Sequence, residues 1–279
     1  MYHCPAGIIK KSMGLFTKAV KLAIRFFGRI IMLSKDSTQY LLEEVFRKQL
    51  IDFVDHKYYH EYSHIHKSIQ IAKTINTEEK GVILDIGGSV GTTAVLYAAA
   101  FPSDRIYVFE PIRSSFEKLQ QNTRKYSNIS VVNKAIGNET GKKTIQLANR
   151  ISSSSLFNLK GSGHEEGFGN SISYVGTEDI EITTLNKYLT PGISIRIMKI
   201  DVQGYEIEVL LGASDHLQNV DLIVVEVSNH DGYESAPKYY EVDRVIRENG
   251  FVISDLFPNS KEKNQLLEWD IIYINKRLI

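Results

Sequence analysis

Cysteine is nearly absent. Cys4 is the only one in 279 residues, which excludes an internal disulfide and a cysteine-ligated zinc site and fits a reducing, cytoplasmic setting. Acid is absent from residues 1–35, which carry Lys10, Lys11, Lys18, Lys21, Arg25, Arg29 and Lys35. The formal charge of zero therefore divides unevenly, with 26 basic against 33 acidic residues in the remainder. A body with net acid and no basic patch of its own is a poor binder of long nucleic acids, because phosphate neutralisation supplies most non-specific affinity. An uninterrupted apolar run at the start is absent too: Leu15–Leu33, "LFTKAVKLAIRFFGRIIML", is broken by Lys18, Lys21, Arg25 and Arg29. Four charges there argue against a membrane span, and a secretory signal would place its charges before the apolar stretch.

Two nucleotide signatures are missing from the glycine-rich turn described below. It has neither G-x-G-x-x-G, which disfavours a nicotinamide oxidoreductase, nor G-x-x-x-x-G-K-[ST], which removes support for ATP or GTP phosphate binding. The amide-methylating N/D-P-P-[YF] motif is also absent.

What is present points to one main domain. A single core runs to about 250 residues, and 43% apolar with 24% charged residues is ordinary for a soluble chain. The spacing of cations in residues 1–35 predicts a basic amphipathic helix, with two readings open. It lies on a membrane interface, giving peripheral contact through residues 10–35 on an inner membrane face, or it packs on protein. Residues 36–80 show helical spacing (Leu41, Leu42, Val45, Phe46, Leu50) and predict a helical extension or lid. His56, His60, His64 and His66 lack a third ligand type at a recognised spacing, so no metal site is assigned. Residues 81–279 hold the main domain.

Its first strand ends in "VILDIGGSVGTTAVLYAAA", Val82–Ala100. Val82, Ile83 and Leu84 predict a strand buried on both faces, ending at Asp85. Gly87, Gly88 and Gly91 let the main chain turn tightly and approach a ligand before a helix begins at Thr92. A second strand, Arg105–Glu110, ends in an acid about twenty residues past the glycines, where ribose hydroxyls are accepted in nucleotide-type folds. A helix over Ile112–Tyr126, a third strand through "ISVVNKAIG", a fourth ending in Asp201, a fifth ending near Glu226 and two closing strands complete an α/β alternation. That alternation predicts an open, mostly parallel sheet with its ligand crevice at the carboxyl edge.

The runs "VILDIGGSVGTTA", "VFEP", "NKAIGNETGK", "SSSSLF", "ITTLNKYL" and above all "MKIDVQGYEIEVLLGA" resemble the FkbM-type methyltransferases from Val82 to Tyr273. The resemblance implies a Rossmann-like class I methyltransferase fold, with a mostly parallel seven-stranded sheet and helices on both faces. It implies S-adenosyl-L-methionine as cofactor and O-methylation of a sugar, glycan or similar small-molecule hydroxyl. By the same resemblance Asp85 with Gly87, Gly88 and Gly91 holds the methionine end, Glu110 and Pro111 hold the ribose, Ala135 and Ile136 lie near adenine, and Asp201 borders the cofactor. The family's usual Glu is Gln203 here, and an amide cannot serve as a carboxylate base or hard metal ligand. That departure keeps open a non-catalytic, partner-binding alternative.

An alcohol acceptor must lose a proton, so carboxylates and histidines at the ligand edge are the catalytic candidates. Asp201 and His230 follow the fourth and fifth strands, and Lys199 shares a side of its strand with Asp201 and is placed to pair with it. Capping of the following helix is the alternative for Asp201, and a loop residue without a task is the alternative for His230. His164 in "GSGHEEGFG" is a further candidate. Ser152–Ser155 is placed to border the site and select substrate, or to be a solvated connection.

Overall fold

Strong apolar alternation on adjacent strands sorts this chain into layers. The computed structural model describes residues 62–75, 81–160, 172–229, 232–262 and 265–279. The expected basic helix of residues 1–35, the first part of the 36–80 segment with His56 and His60, His164 with its glycine-rich stretch, and His230 lie outside those residues.

The strands are β1 (Val82–Ile86), β2 (Arg105–Phe109), β3 (Ile129–Val132), β4 (Ala135–Ile136), β5 (Gly141–Ala148), β6 (Tyr174–Thr183), β7 (Ile195–Ile200), β8 (Val220–Ser228), β9 (Phe251–Glu262) and β10 (Gln265–Asn275). Seven of them form one sheet in the order β3-β2-β1-β7-β8-β10-β9. Only β10 runs against its neighbours, β8 and β9, and the other pairs are parallel. This is the doubly wound, mostly parallel class I arrangement, with its switch point between β1 and β7.

Helices cover both faces. Val82, Leu84 and Ile86 face one way, joining Met198, Ile200, Ile223 and Val225 in a core capped by α4 (Leu185–Tyr188), α5 (Glu206–Gly212) and α6 (Tyr239–Glu248). Ile83 faces the other way, joining Ile106, Ile197, Leu222 and Val224 under α1 (Ser63–Ile75), α2 (Thr92–Ala100) and α3 (Arg113–Thr123). The period-2 alternation of strand side chains is the cause. α1 belongs to the second core: Ile65 and Ala72 are fully buried in it, each large apolar side chain contributing about 1.5–3 kcal/mol. Trp269 is 7% exposed and packs in the first core. No described helix is long and apolar enough to cross a membrane.

One expected element divides. The third strand predicted through Gly137 stops at Val132, because Asn133 turns the chain by donating its Nδ2 to the carbonyls of Glu110 (2.9 Å) and Pro111 (2.8 Å). Ala135 and Ile136 then leave the main sheet to pair with Ile182 and Thr183. With the antiparallel β5–β6 pair they make a second sheet, ordered β4-β6-β5, beside the carboxyl edge of the first.

Candidate active site

The turn after β1 is built so that two strands nearly touch. Gly87 has φ +83°, and a Cβ on it would lie 1.8 Å from the Asp201 carbonyl oxygen. Only glycine permits that approach, which is held by the Asp201 amide donating to Ile86 at 3.0 Å. Gly88 and Gly91 serve packing: side chains there would meet Val108 and Leu119. The amides of Gly87 and Gly88 donate to the Phe109 carbonyl at 2.9 and 3.0 Å, so the turn is tied to the end of β2.

Glu110 follows at that end and is 5% exposed. Its Oε2 accepts from the Ser89 amide (2.9 Å) and its Oε1 from the Ile112 amide (2.8 Å). Burial, aided by the charges of Asp85 and Asp201 and opposed by these two amides, pushes its pKa up to about 7. Each oxygen keeps a lone pair for a further donor.

Glu110 lines a pocket shared with Gly87, Ser89, Pro111, Ala135, Ile136, Asp201 and Gln203. Ser152, Ser154 and Leu156 line it from the connection between β5 and β6. That connection is fastened: Ser155 Oγ donates to the Gln203 carbonyl (2.7 Å) and the Tyr233 hydroxyl to the Ser153 carbonyl (2.8 Å). Of the residues expected at the cofactor, Gly87, Glu110, Pro111, Ala135, Ile136 and Asp201 share this pocket. Asp85, Gly88 and Gly91 stand outside its lining.

Asp85 is fully buried on the α1–α3 face, and neither of its oxygens has a hydrogen-bond partner among the described residues. Lys199, opposite it in the β1–β7 register, comes within 3.8 Å. The same ammonium donates to Asp201 Oδ2 at 2.9 Å. Burial opposes the charge on Lys199, but Asp201 and Asp85 beside it raise its pKa, so it stays protonated. Burial alone would raise Asp201 as well, and the Lys199 ammonium holds it below the usual carboxylate range. Asp201 caps no helix: α5 begins at Glu206 after Tyr205, with no side-chain cap.

A chain of polar side chains continues from Asp201 that sequence reasoning did not assemble. Gln203, in a left-handed conformation (φ +53°), donates Nε2 to Asp201 Oδ1 (3.0 Å) and to Glu226 Oε2 (2.7 Å). Its Oε1 lies 3.2 Å from the Tyr233 hydroxyl and shares that group's one proton with the nearer Ser153 carbonyl. Asn259 donates to Glu226 Oε1 (3.1 Å) and to Asp270 Oδ2 (2.9 Å). His64 of α1 lies 3.1 Å from the same Asp270 oxygen. Burial and Lys199 hold His64 down at about pKa 3, so its Nδ1 donates as neutral imidazole. Burial, opposed by Asn259 and aided by Asp201, pushes Asp270 up to about 7. Among the described residues no group of three His, Cys, Asp or Glu side chains is arranged to hold a metal.

These features fit S-adenosylmethionine: a buried acid for a ribose diol, the apolar Ala135 and Ile136 for a purine, and main chain exposed by glycine beside Asp201. The description "Methyltransferase FkbM domain" matches residues 85–253. Methyltransferase 1 of Beauveria bassiana is 22% identical over 68% of this chain and 81% of its own length. The hexuronic acid methyltransferase AglP of Haloferax volcanii is 26% identical over 63% of this chain and 71% of its own. Among solved structures, Aeropyrum pernix fibrillarin overlaps with a TM-score of 0.39 and 14% identity, covering 75% of this chain and 74% of that one.

Proposed function

The chain belongs to the FkbM methyltransferase family and is an S-adenosylmethionine-dependent methyltransferase, and on that premise we propose that it methylates a hydroxyl of a sugar or glycan. The observation that carries the reading is the meeting of Glu110, the Gly87 turn and Asp201 at one pocket on the carboxyl edge. The Haloferax relative, a hexuronic acid methyltransferase, supports a sugar acceptor.

S-adenosylmethionine supplies a methyl group bound to a sulfonium centre. Glu110, as carboxylate, accepts the ribose hydroxyls, and Pro111 shapes that wall. Ala135 and Ile136 flank the adenine, while the Gly87–Gly91 turn offers main-chain contacts at the methionine end. Asp85 acts from beneath by holding Lys199 charged, and Lys199 fixes the orientation of Asp201. With Asp201 held, the acceptor oxygen is aligned for an in-line displacement, in which placement supplies most of the acceleration. His230 remains a proposed contributor from the segment after β8. The same reading keeps residues 1–35 as a basic helix able to touch an anionic membrane surface, 36–80 as a helical extension, and 81–279 as the transferase domain.

Calorimetric titration with S-adenosylmethionine, on the wild type and on Glu110→Ala, tests the pocket. Micromolar binding weakened at least tenfold by the substitution is expected. Transfer of radiolabelled methyl to neutral hexosides and hexuronosides, with an amine and an RNA as controls, then tests the acceptor. Labelling of the amine or RNA alone would overturn the hydroxyl assignment.

A further inference from the structure

Methylating an alcohol leaves a proton to be placed, and Asp201 is poorly suited to take it because the Lys199 ammonium stabilises its ionised form at 2.9 Å. We propose that Glu226 takes the proton of the acceptor hydroxyl and that Gln203 is the positioning residue that holds Glu226 for the task. The proposal rests on the methyltransferase reading above.

The geometry comes from strand register. Ile200 of β7 is paired with Val225 of β8, so Asp201 and Glu226 leave adjacent parallel strands side by side. Two carboxylates so placed repel unless a donor sits between them, and the single Nε2 of Gln203 bonds to both. The second oxygen of Glu226 accepts from Asn259. Two amides thus fix the carboxyl plane while leaving each oxygen a free lone pair. The side chain keeps some exposure and is bonded to Gln203, which lines the pocket.

The groups facing Glu226 are Asp201 and Lys199 from β7 and Asp270 and Glu268 from β10. Burial and the three acids push its pKa well above the ordinary value, and Lys199 opposes them. A base whose affinity for protons approaches the working pH serves better than one held far below it. In the step, the acceptor oxygen gives its proton to a Glu226 oxygen as its lone pair closes on the methyl carbon. The sulfur keeps the pair of the broken S–C bond, and Glu226 later returns the proton to water.

The amide at position 203 is suited to this arrangement. Its NH2 donates to two acids at once, which a carboxyl group cannot do even when protonated, because it then has a single O–H. Gln203 therefore suits a position between two acids.

The test combines spectroscopy with transfer. In protein labelled with 13C at glutamate carboxyls, the resonance lost in Glu226→Gln should titrate above the ordinary carboxylate range, and Gln203→Met should move it higher by removing a donor to the ionised form. Glu226→Gln should leave S-adenosylmethionine affinity within twofold while lowering transfer to methyl hexopyranosides about 100-fold or more. The acidic limb of the wild-type rate profile should follow the Glu226 titration. Titration of Glu226 in the ordinary carboxylate range, no movement in Gln203→Met, or undiminished transfer by Glu226→Gln would each overturn the proposal. If wild-type protein methylates none of these sugars, the titrations of Glu226 in wild type and in Gln203→Met decide alone. Absence of S-adenosylmethionine binding to wild type counts instead against the pocket assignment.

Discussion

The two halves of the carboxyl edge are built from different materials. On the β1–β2 side this edge is mostly main chain: amides of Gly87, Gly88, Ser89 and Ile112, with Glu110 as the buried acid that faces the pocket. On the β7–β8–β10 side it is side chain: Lys199, Asp201, Gln203, Glu226, Asn259, Asp270 and His64, bonded in series. A site made of backbone depends on conformation, so it fails when a Cβ is added. A site made of side chains depends on matched donors, acceptors and charges, so it tolerates exchange of a carboxyl for an amide where the neighbours suit it.

The largest break should come in the side-chain half. Lys199→Met leaves Asp85 buried without its cation and should cost about 3–5 kcal/mol, read by urea unfolding at neutral pH. In the backbone half, Gly87→Ala should cost about 3 kcal/mol, because left-handed strain adds to an overlap with the Asp201 carbonyl. Gly250→Ala is its control: φ is +90° but nothing lies within 4 Å of the added Cβ, so only about 1–2 kcal/mol should be lost. Equal losses at the two glycines would show that conformation alone, without the close approach, sets the β1 turn.

A third experiment separates the halves by pH. If Glu110 binds the ribose as proposed, it must be ionised to accept two hydroxyls, and burial raises its folded pKa to about 7. S-adenosylmethionine affinity measured by calorimetry should therefore fall as pH drops below 7, by up to about tenfold per unit, and Glu110→Gln should abolish that slope.

The smallest effect belongs to His64. Its folded pKa, lowered to about 3, means that the unfolded chain binds the extra proton between about pH 6.5 and 3. Its contribution is present above pH 6.5 and is lost as pH falls through that window. His64→Ala should cost about 1 kcal/mol at pH 8 and flatten the acid decline in stability, as measured by thermal melts across pH.

Legibility in the sequence followed the same division. The glycine turn, Glu110 and Asp201 stand at strand ends within short runs, where hydrophobic period and turn chemistry fix position locally. The Lys199–Asp201 contact was readable because residues two apart share a strand side. Gln203 could be flagged as an unusual residue, but its partners could not be named, since Glu226 reaches it from β8 and Tyr233 from the segment that follows that strand. His64 meets Asp270 only because α1 packs over the strand that β8 and β9 enclose. No local pattern announces a register between β8 and β10. The second sheet was missed because Asn133 turns the chain through bonds to Glu110 and Pro111, a tertiary effect that a continuous "ISVVNKAIG" run conceals.

The reversed strand β10 also sets an order of completion. It enters between β8 and β9, and of the strands described it comes latest along the chain. The Gly87 and Gly88 amides and Glu110 can meet Phe109, Ser89 and Ile112 once residues up to 136 have left a ribosome, whereas Glu226 lacks its neighbour Asp270 until more than 130 further residues are made. A nascent chain thus has its donor wall well before its proton-handling edge. During that interval the edge of β8 awaits a strand, and the exposed ladder is the place where premature association during synthesis would begin.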